Sequence, residues 1–269
     1  MRTRFQQSTR NRSDGKDADA AYAGASAAKV LRVLLAFGPQ RPMARVDELA
    51  DVADVPLSSA YRYVALLRSM GLLAETGDGA YQLTPRVMGL AQAAQLTNGL
   101  SAQLRPVLEA LRASSGESAL FLRRAGDHVV CTELAESSHP VRLSFTPGHP
   151  MPLHAGAGAK LLLASLSRAE QEAYADRHPG QLNRTTRQKL LRELEPLARQ
   201  GWSTSEAEVD DGVWAAAALV TDAGEPVGAL SVAGPAFRLT EAMRRTILAS
   251  VRNAAAGLSG RLAELGTHT

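Results

Sequence analysis

The strongest constraint on this chain is a run of short elements between residues 27 and 83. Val30, Leu34 and Phe37 recur at helical spacing, with Leu31 and Leu35 widening the stripe, until Gly38-Pro39 ends it. A second short helix is expected over residues 45–53. Val46, Leu49 and Ala50 form its apolar face, and Asp47 and Glu48 occupy the first turn, where acids suit the helix dipole. Asp54-Val55-Pro56-Leu57 is a tight break. Ser58 then reads as the N-cap of a third helix that runs to Met70, with Ala60, Val64 and Leu67 turned inward. Residues 72–75 and 81–83 flank Gly77-Asp78-Gly79 and read as a hairpin. Three short helices and a hairpin over so few residues describe a winged helix-turn-helix.

Such a unit places its third helix in the major groove of duplex DNA and reads base edges with the residues near that helix's start. Here these are Leu57, Ser58, Ser59, Tyr61 and Arg62. Serine hydroxyls and first-turn N–H groups suit phosphate, whereas Tyr61 and Arg62 reach bases or backbone. Arg45, opening the second helix, and Arg86, just past the hairpin, are expected phosphate partners. Charge agrees in direction. Residues 1–100 hold 12 basic and 9 acidic residues, while residues 101–269 hold 18 of each. The basic excess therefore lies in the N-terminal third.

Residues 1–24 lack periodicity and read as a disordered tail, with residues 25–84 the DNA-binding unit. Thr84-Pro85 opens a further helix, Thr at the N-cap and Pro at the first helical position. Residues 85–108 are read as a helical linker, interrupted near Asn98-Gly99, and residues 109–269 as a second domain. In that domain strands are expected at 119–123, 129–134 and 141–145, helices at 156–166, 168–176 and 187–200, strands at 202–208, 214–221 and 226–233, and a last helix over 240–265. Strands, helices, strands and a helix in this order indicate an α+β domain built on an antiparallel sheet.

Residues 49–67 (LADVADVPLSSAYRYVALL), Gly71-Leu72-Leu73 and Tyr81-Gln82-Leu83-Thr84-Pro85-Arg86 resemble the IclR family of bacterial transcription regulators. The likeness continues through Pro152-Leu153-His154-Ala155-Gly156-Ala157-Gly158-Ala159-Lys160, Glu208 with Gly212-Val213, and Leu230-Ser231-Val232-Ala233-Gly234-Pro235 with Leu239-Thr240. It spans about residues 25–265. Departures are Asp54 where the family usually has Gly, Leu57 where a basic residue is frequent, Ala159 before the lysine, and Ala215 and Ala233 where hydroxyl or thiol side chains are common.

The resemblance implies a GAF-like C-terminal domain that binds a small organic effector and biases DNA binding. It further implies homodimers or homotetramers on palindromic operators, and a repressor, with an activator of the same type as the alternative. Gly156, Ala157 and Gly158 open an expected helix whose N–H groups suit an anion. Leu143, Met151 and Leu153 are expected as the apolar wall, Ser231 as a hydroxyl, Glu206 or Glu208 as a carboxylate, and Ala215 as a lining position beside Trp214, itself a candidate aromatic wall. With polar side chains missing at Ala215 and Ala233, the expected effector is aromatic or amino-acid-like rather than a two- or three-carbon oxoacid. Coupling to the head is expected through residues 91–94.

Other classes are disfavoured. Cys131 is the sole cysteine and sits within an expected strand, so a structural thiol is the simpler reading than a Cys–His nucleophile with His149 or His154. No G-x-S-x-G, H-E-x-x-H or G-x-G-x-x-G motif is present, and no enzyme, cofactor or metal is expected. The longest uncharged apolar run has eight residues, 213–220, against the ~20 of a membrane helix. The chain is expected to be cytoplasmic.

Overall fold

A computed structural model of the chain describes residues 26–96 and 100–266. The expected tail over 1–24 lies outside the described residues. The described residues form two compact units, 26–96 and 100–266.

In the first unit α1 (26–35) is followed by β1 (Met43–Ala44), α2 (Val46–Ala53), α3 (Leu57–Ser69), β2 (Leu73–Glu75), β3 (Tyr81–Leu83) and α4 (Arg86–Leu96). The three strands pair antiparallel in the order β1-β3-β2, making the wing. Val33, Leu49, Ala53, Ala60, Val64, Leu67 and Leu73 close one core, so α2 and α3 bury the stripes that their periodicity shows. In α1 the expectation is corrected, because Val33 is the buried residue, Val30 and Leu34 are half-buried, and Leu31 and Leu35 are exposed. Asp54 ends α2 in the left-handed conformation, φ 51°. One detail is corrected: α3 starts at Leu57 with Pro56 as N-cap, so Ser58 lies inside the first turn and does not cap it. Proline's locked φ suits that entry position. The Pro56 carbonyl accepts the Ser59 N–H at 2.8 Å and the Ala60 N–H at 3.0 Å.

The second unit runs α5 (Ser101–Ser115), β4 (Ser118–Ala125), β5 (His128–Ala135), β6 (Pro150–Pro152), α6 (Ala157–Ala164), α7 (Arg168–Arg177), α8 (Arg184–Gln200), β7 (Trp202–Glu206), β8 (Val213–Asp222), β9 (Glu225–Pro235), a 3-10 turn (Ala236–Arg238) and α9 (Glu241–Gly266). Its six strands form one antiparallel sheet in the order β6-β5-β4-β9-β8-β7. One face packs on α6, α7 and α8, and the other on α5 and α9. Both faces are covered, which is why β8 reads as an unbroken apolar run rather than an alternating one. Ala215 and Ala217 face α6, whereas Trp214, Ala216, Ala218 and Val220 face the other layer.

Two expectations change. Residues 101–108 of the expected linker belong to α5, whose Leu104, Leu108 and Leu111 are buried in the second unit's core. Residues 141–145 form no strand. Instead their carbonyls are held by side chains, Val141 O by Arg238 at 2.8 Å and Leu143 O by the Ser118 hydroxyl at 3.3 Å. The edge strand beside β5 is Pro150–Pro152, and prolines are compatible with an edge because nothing beyond needs their missing N–H.

Candidate DNA-reading helix and effector cavity

On the head, α3 buries Ala60, Tyr63, Val64 and Leu67 and exposes Leu57, Ser58, Tyr61 and Arg62. Ser59 is half-buried and its hydroxyl accepts a long hydrogen bond, 3.4 Å, from the Arg62 guanidinium. The helix therefore presents hydroxyls, a phenol and a guanidinium at its N-terminal end, where backbone N–H groups also lack intrahelical partners. Arg45 precedes α2, donates its own N–H to Glu48 Oε2 at 2.7 Å, and carries an exposed side chain toward Gly79 of the wing. Arg86 differs from the expectation in one respect. Its guanidinium donates to Met70 O at 2.6 Å, so it also closes the C-terminal end of α3, where a cation suits the dipole. At the wing tip Asp78 accepts from the Thr76 hydroxyl, and that bond holds its carboxyl below the ordinary range.

In the second unit a cavity of about 240 Å³ opens at the start of α6. Leu120, Leu122, Val129, Leu143, Phe145 and Met151 supply an apolar wall, and Ala215, Ser231 and Ala233 line it from β8 and β9. Gly156, Ala157, Gly158, Ser205 and Glu208 form its polar end. Gly156, with φ 91° and ψ 150°, takes a conformation that side chains forbid, and this turns the chain into α6.

Two of the N–H groups there are already engaged. Gly156 N–H donates to Glu208 Oε2 at 3.0 Å, and Ala157 N–H to the Ser205 hydroxyl at 3.0 Å. The Glu208 carboxylate is itself neutralised by Lys160, a buried side chain that also lies 3.6 Å from Glu193. Gly158 and Ala159 N–H find no acceptor among the described residues. The Ser205 hydroxyl hydrogen is unspent, and Ser231, donating to Ala216 O at 3.0 Å, keeps lone pairs open. The unpaired N–H groups and the Ser205 hydroxyl suit one small acceptor-rich head on an apolar body. Arg142, which pairs with Glu136 at 3.2 Å, and Asp210 also line the cavity.

The cavity thus gathers Leu143, Met151, Gly156, Ala157, Gly158, Glu208, Ala215 and Ser231. It does not include Leu153, Glu206 or Trp214. Leu153 is spent in the core behind the wall. Glu206 points the other way along β7 and binds Arg244 through two bonds of 2.8 Å, which lower its carboxyl pKa. Trp214 packs against the opposite layer, with Arg244 over its ring at 5.6 Å. The aromatic side chain that does reach the cavity is Phe145, and with Ser205 it was missed. Strand alternation would have found Ser205: if Ser203 is buried, Ser205 is too, and Glu206 is not.

Cys131 and His154 do not line the cavity. The Cys131 thiol is pushed up to about 12 by burial. His154 Nδ1 lies 2.7 Å from the Tyr174 hydroxyl, and burial together with His178 lowers its pKa. Among the described residues no helix is long and apolar enough to cross a membrane.

A winged helix-turn-helix followed by a sheet domain with a ligand-sized cavity defines a DNA-binding regulator of the effector-controlled class. Comparison with known proteins gives its lineage. Residues 26–77 match the IclR helix-turn-helix domain, and residues 93–260 match the bacterial transcriptional regulator IclR C-terminal domain. The chain belongs to the IclR family of transcriptional regulators. It is similar to the HTH-type transcriptional regulator KipR of Bacillus subtilis, 29% identical over 227 residues, 82% of this chain and 91% of that one. The transcriptional repressor IclR of Escherichia coli is 25% identical over 206 residues, 73% of this chain and 74% of that protein. A solved IclR homolog of Microbacterium hydrocarbonoxydans, complexed with 4-hydroxybenzoate, shares the fold with a TM-score of 0.68 at 23% identity, covering 88% of this chain and 98% of that one.

Proposed function

We propose that this regulator is a repressor that binds a palindromic operator as a dimer, or as a pair of dimers, and is controlled by an aromatic carboxylic acid held in the cavity of the second unit. One head covers too little DNA for a tight specific site, so two heads on paired half-sites are required. Arg45, Ser58, Ser59, Tyr61, Arg62 and Arg86 make the contacts, with Arg86 fixing the end of α3 as it does so. Residues 85–97 connect the head to the effector domain and carry the coupling.

The observation that carries the effector reading is the polar end of the cavity. Two free N–H groups, of Gly158 and Ala159, and the unspent Ser205 hydroxyl hydrogen meet a wall of Leu120, Leu122, Leu143, Phe145 and Met151. A carboxylate at a helix N-terminus gains from the unpaired donors and the dipole together. An apolar ring fills the remaining volume, and the Microbacterium relative's 4-hydroxybenzoate has that chemistry. The ligand regulates only if it binds one arrangement of the heads better than the other.

A thermal-shift panel tests this on the purified chain. Benzoate, 4-hydroxybenzoate, phenylalanine, pyruvate and glyoxylate are compared. Benzoates at ~100 Kd contribute about 2.7 kcal/mol, hence on the order of 5–10 °C for a unit of this size. Ser205→Ala reduces the shift. Stabilisation by the smallest oxoacids alone rejects the aromatic assignment, and stabilisation by phenylalanine but not benzoate replaces it with an amino acid. In a mobility shift with the chain's own promoter region, a benzoate that releases the duplex supports repression relieved by ligand.

A further inference from the structure

Three large apolar side chains of α3 stand about half exposed, Leu57 and Tyr61 on one flank of its first two turns and Leu66 farther along on the other flank. Leu57 is 48% exposed and Tyr61 57% exposed. At 100° per residue the two lie one turn apart on a single flank, with Ala65 continuing the line, while Ser58, Arg62 and Ser69 follow the crest of the same face. The inner side is fully used by Ala60, Tyr63, Val64 and Leu67, so this flank is not a displaced part of the core.

Its place in the helix limits what covers it. Leu57 and Tyr61 stand in the first two turns, the end of a recognition helix that meets base edges. Ser58 and Arg62 beside them are groups for phosphate or guanine, which makes this surface one for DNA rather than for an apolar protein partner. Base edges in the major groove are polar save for one group, the C5-methyl of thymine. We infer that Leu57 and Tyr61 form an apolar clamp on thymine methyl groups, so that each half-site of the operator is read partly through thymine and not through hydrogen bonds alone. The inference rests on the DNA-reading role of α3 and adds to it the base class that the helix prefers.

The experiment uses the full chain. Duplexes are selected from a random pool, and the best one is remade with deoxyuridine in place of every thymine, which removes only the methyl groups. Affinities are measured at one fixed salt concentration. Burying a methyl is worth about fourfold in affinity, so loss from two half-sites weakens binding about fifteenfold. In the doubly substituted Leu57→Ala, Tyr61→Ala chain the two duplexes bind equally. Its salt dependence matches that of the unsubstituted chain, because no cationic side chain is lost. Tyr61→Phe keeps the preference, which separates ring contact from a hydroxyl hydrogen bond. Equal binding of thymine and deoxyuridine duplexes by the unsubstituted chain overturns the inference, as does a methyl preference that survives in the double variant. Failure to select any duplex overturns instead the DNA-reading role itself.

Discussion

Replacing Arg238 by Met isolates what holds the 141–145 wall of the cavity in place. Glu117 lies just before β4 with its side chain only 2% exposed, and Arg238, in the turn after β9, bonds both of its carboxylate oxygens, at 2.5 and 2.7 Å. No other group among the described residues bonds that carboxylate. Glu117 in turn raises the Arg238 pKa. The same guanidinium donates to Val141 O, one residue before the cavity-lining Arg142 and Leu143. Gly234 belongs to the arrangement too, because a Cβ there would overlap the Glu117 carboxyl. Removing one partner of a buried pair costs about 3–5 kcal/mol. Arg238 is 22% exposed, which favours the lower end, about 3 kcal/mol. For a unit of this size each kcal/mol moves the melting temperature by about 2–4 °C, so Arg238→Met lowers it by about 6–12 °C. The double variant Glu117→Met, Arg238→Met regains much of this, since no charge is then left buried. Calorimetric melting of the second unit measures both. A loss under 2 °C in the single variant, or a double variant that melts below it, refutes the argument.

Three further expectations concern single positions. A Cβ at Gly228 would overlap the Phe121 ring and stand 2.8 Å from the Leu122 carbonyl, a backbone atom that cannot yield, so Gly228→Ala costs about 2–3 kcal/mol by denaturant midpoint. Asp54 holds φ 51° without needing its side chain, so Asp54→Gly stabilises the head by about 0.5 kcal/mol, and any loss of stability contradicts the strain argument. Arg177 grips Asp127 through bonds of 2.6 and 2.7 Å and holds its carboxyl below the ordinary value. A depressed folded-state pKa stabilises above the unfolded value and loses that contribution as pH falls through the folded one. Melting temperature therefore falls less steeply below about pH 4 in Arg177→Ala than in the unsubstituted chain.

The second and third helices of the head were legible because each buries a stripe spaced as its sequence spaces it. In the first, the run of Val30, Leu31, Val33, Leu34 and Leu35 is apolar on every side and did not show that Val33 is the buried one and Leu31 and Leu35 are exposed. The boundary at Ser58 was misplaced because a serine is a common N-cap, and here Pro56 already fixes the entry. In the second unit the cavity residues near Gly156 followed from the family likeness and from helix-terminus chemistry. Residues 141–145 alternate as a strand would, yet distant side chains, Ser118 and Arg238, take their carbonyls, and no local pattern carries that information.

Local periodicity and turn chemistry determined, from the chain alone, that there is a winged helix-turn-helix and an antiparallel sheet domain after it, because the helices, strands and hairpin turns that define both are set by near neighbours, although the central pairing of β4 with β9 is not. Which side of each central strand meets the cavity was decided only by the fold. Both sheet faces are covered, so β8 is apolar throughout and its sequence does not distinguish Ala215, on the cavity side, from Trp214, on the far side. The register of β8 between β7 and β9 makes that choice, and with it the difference between a lining residue and a core residue.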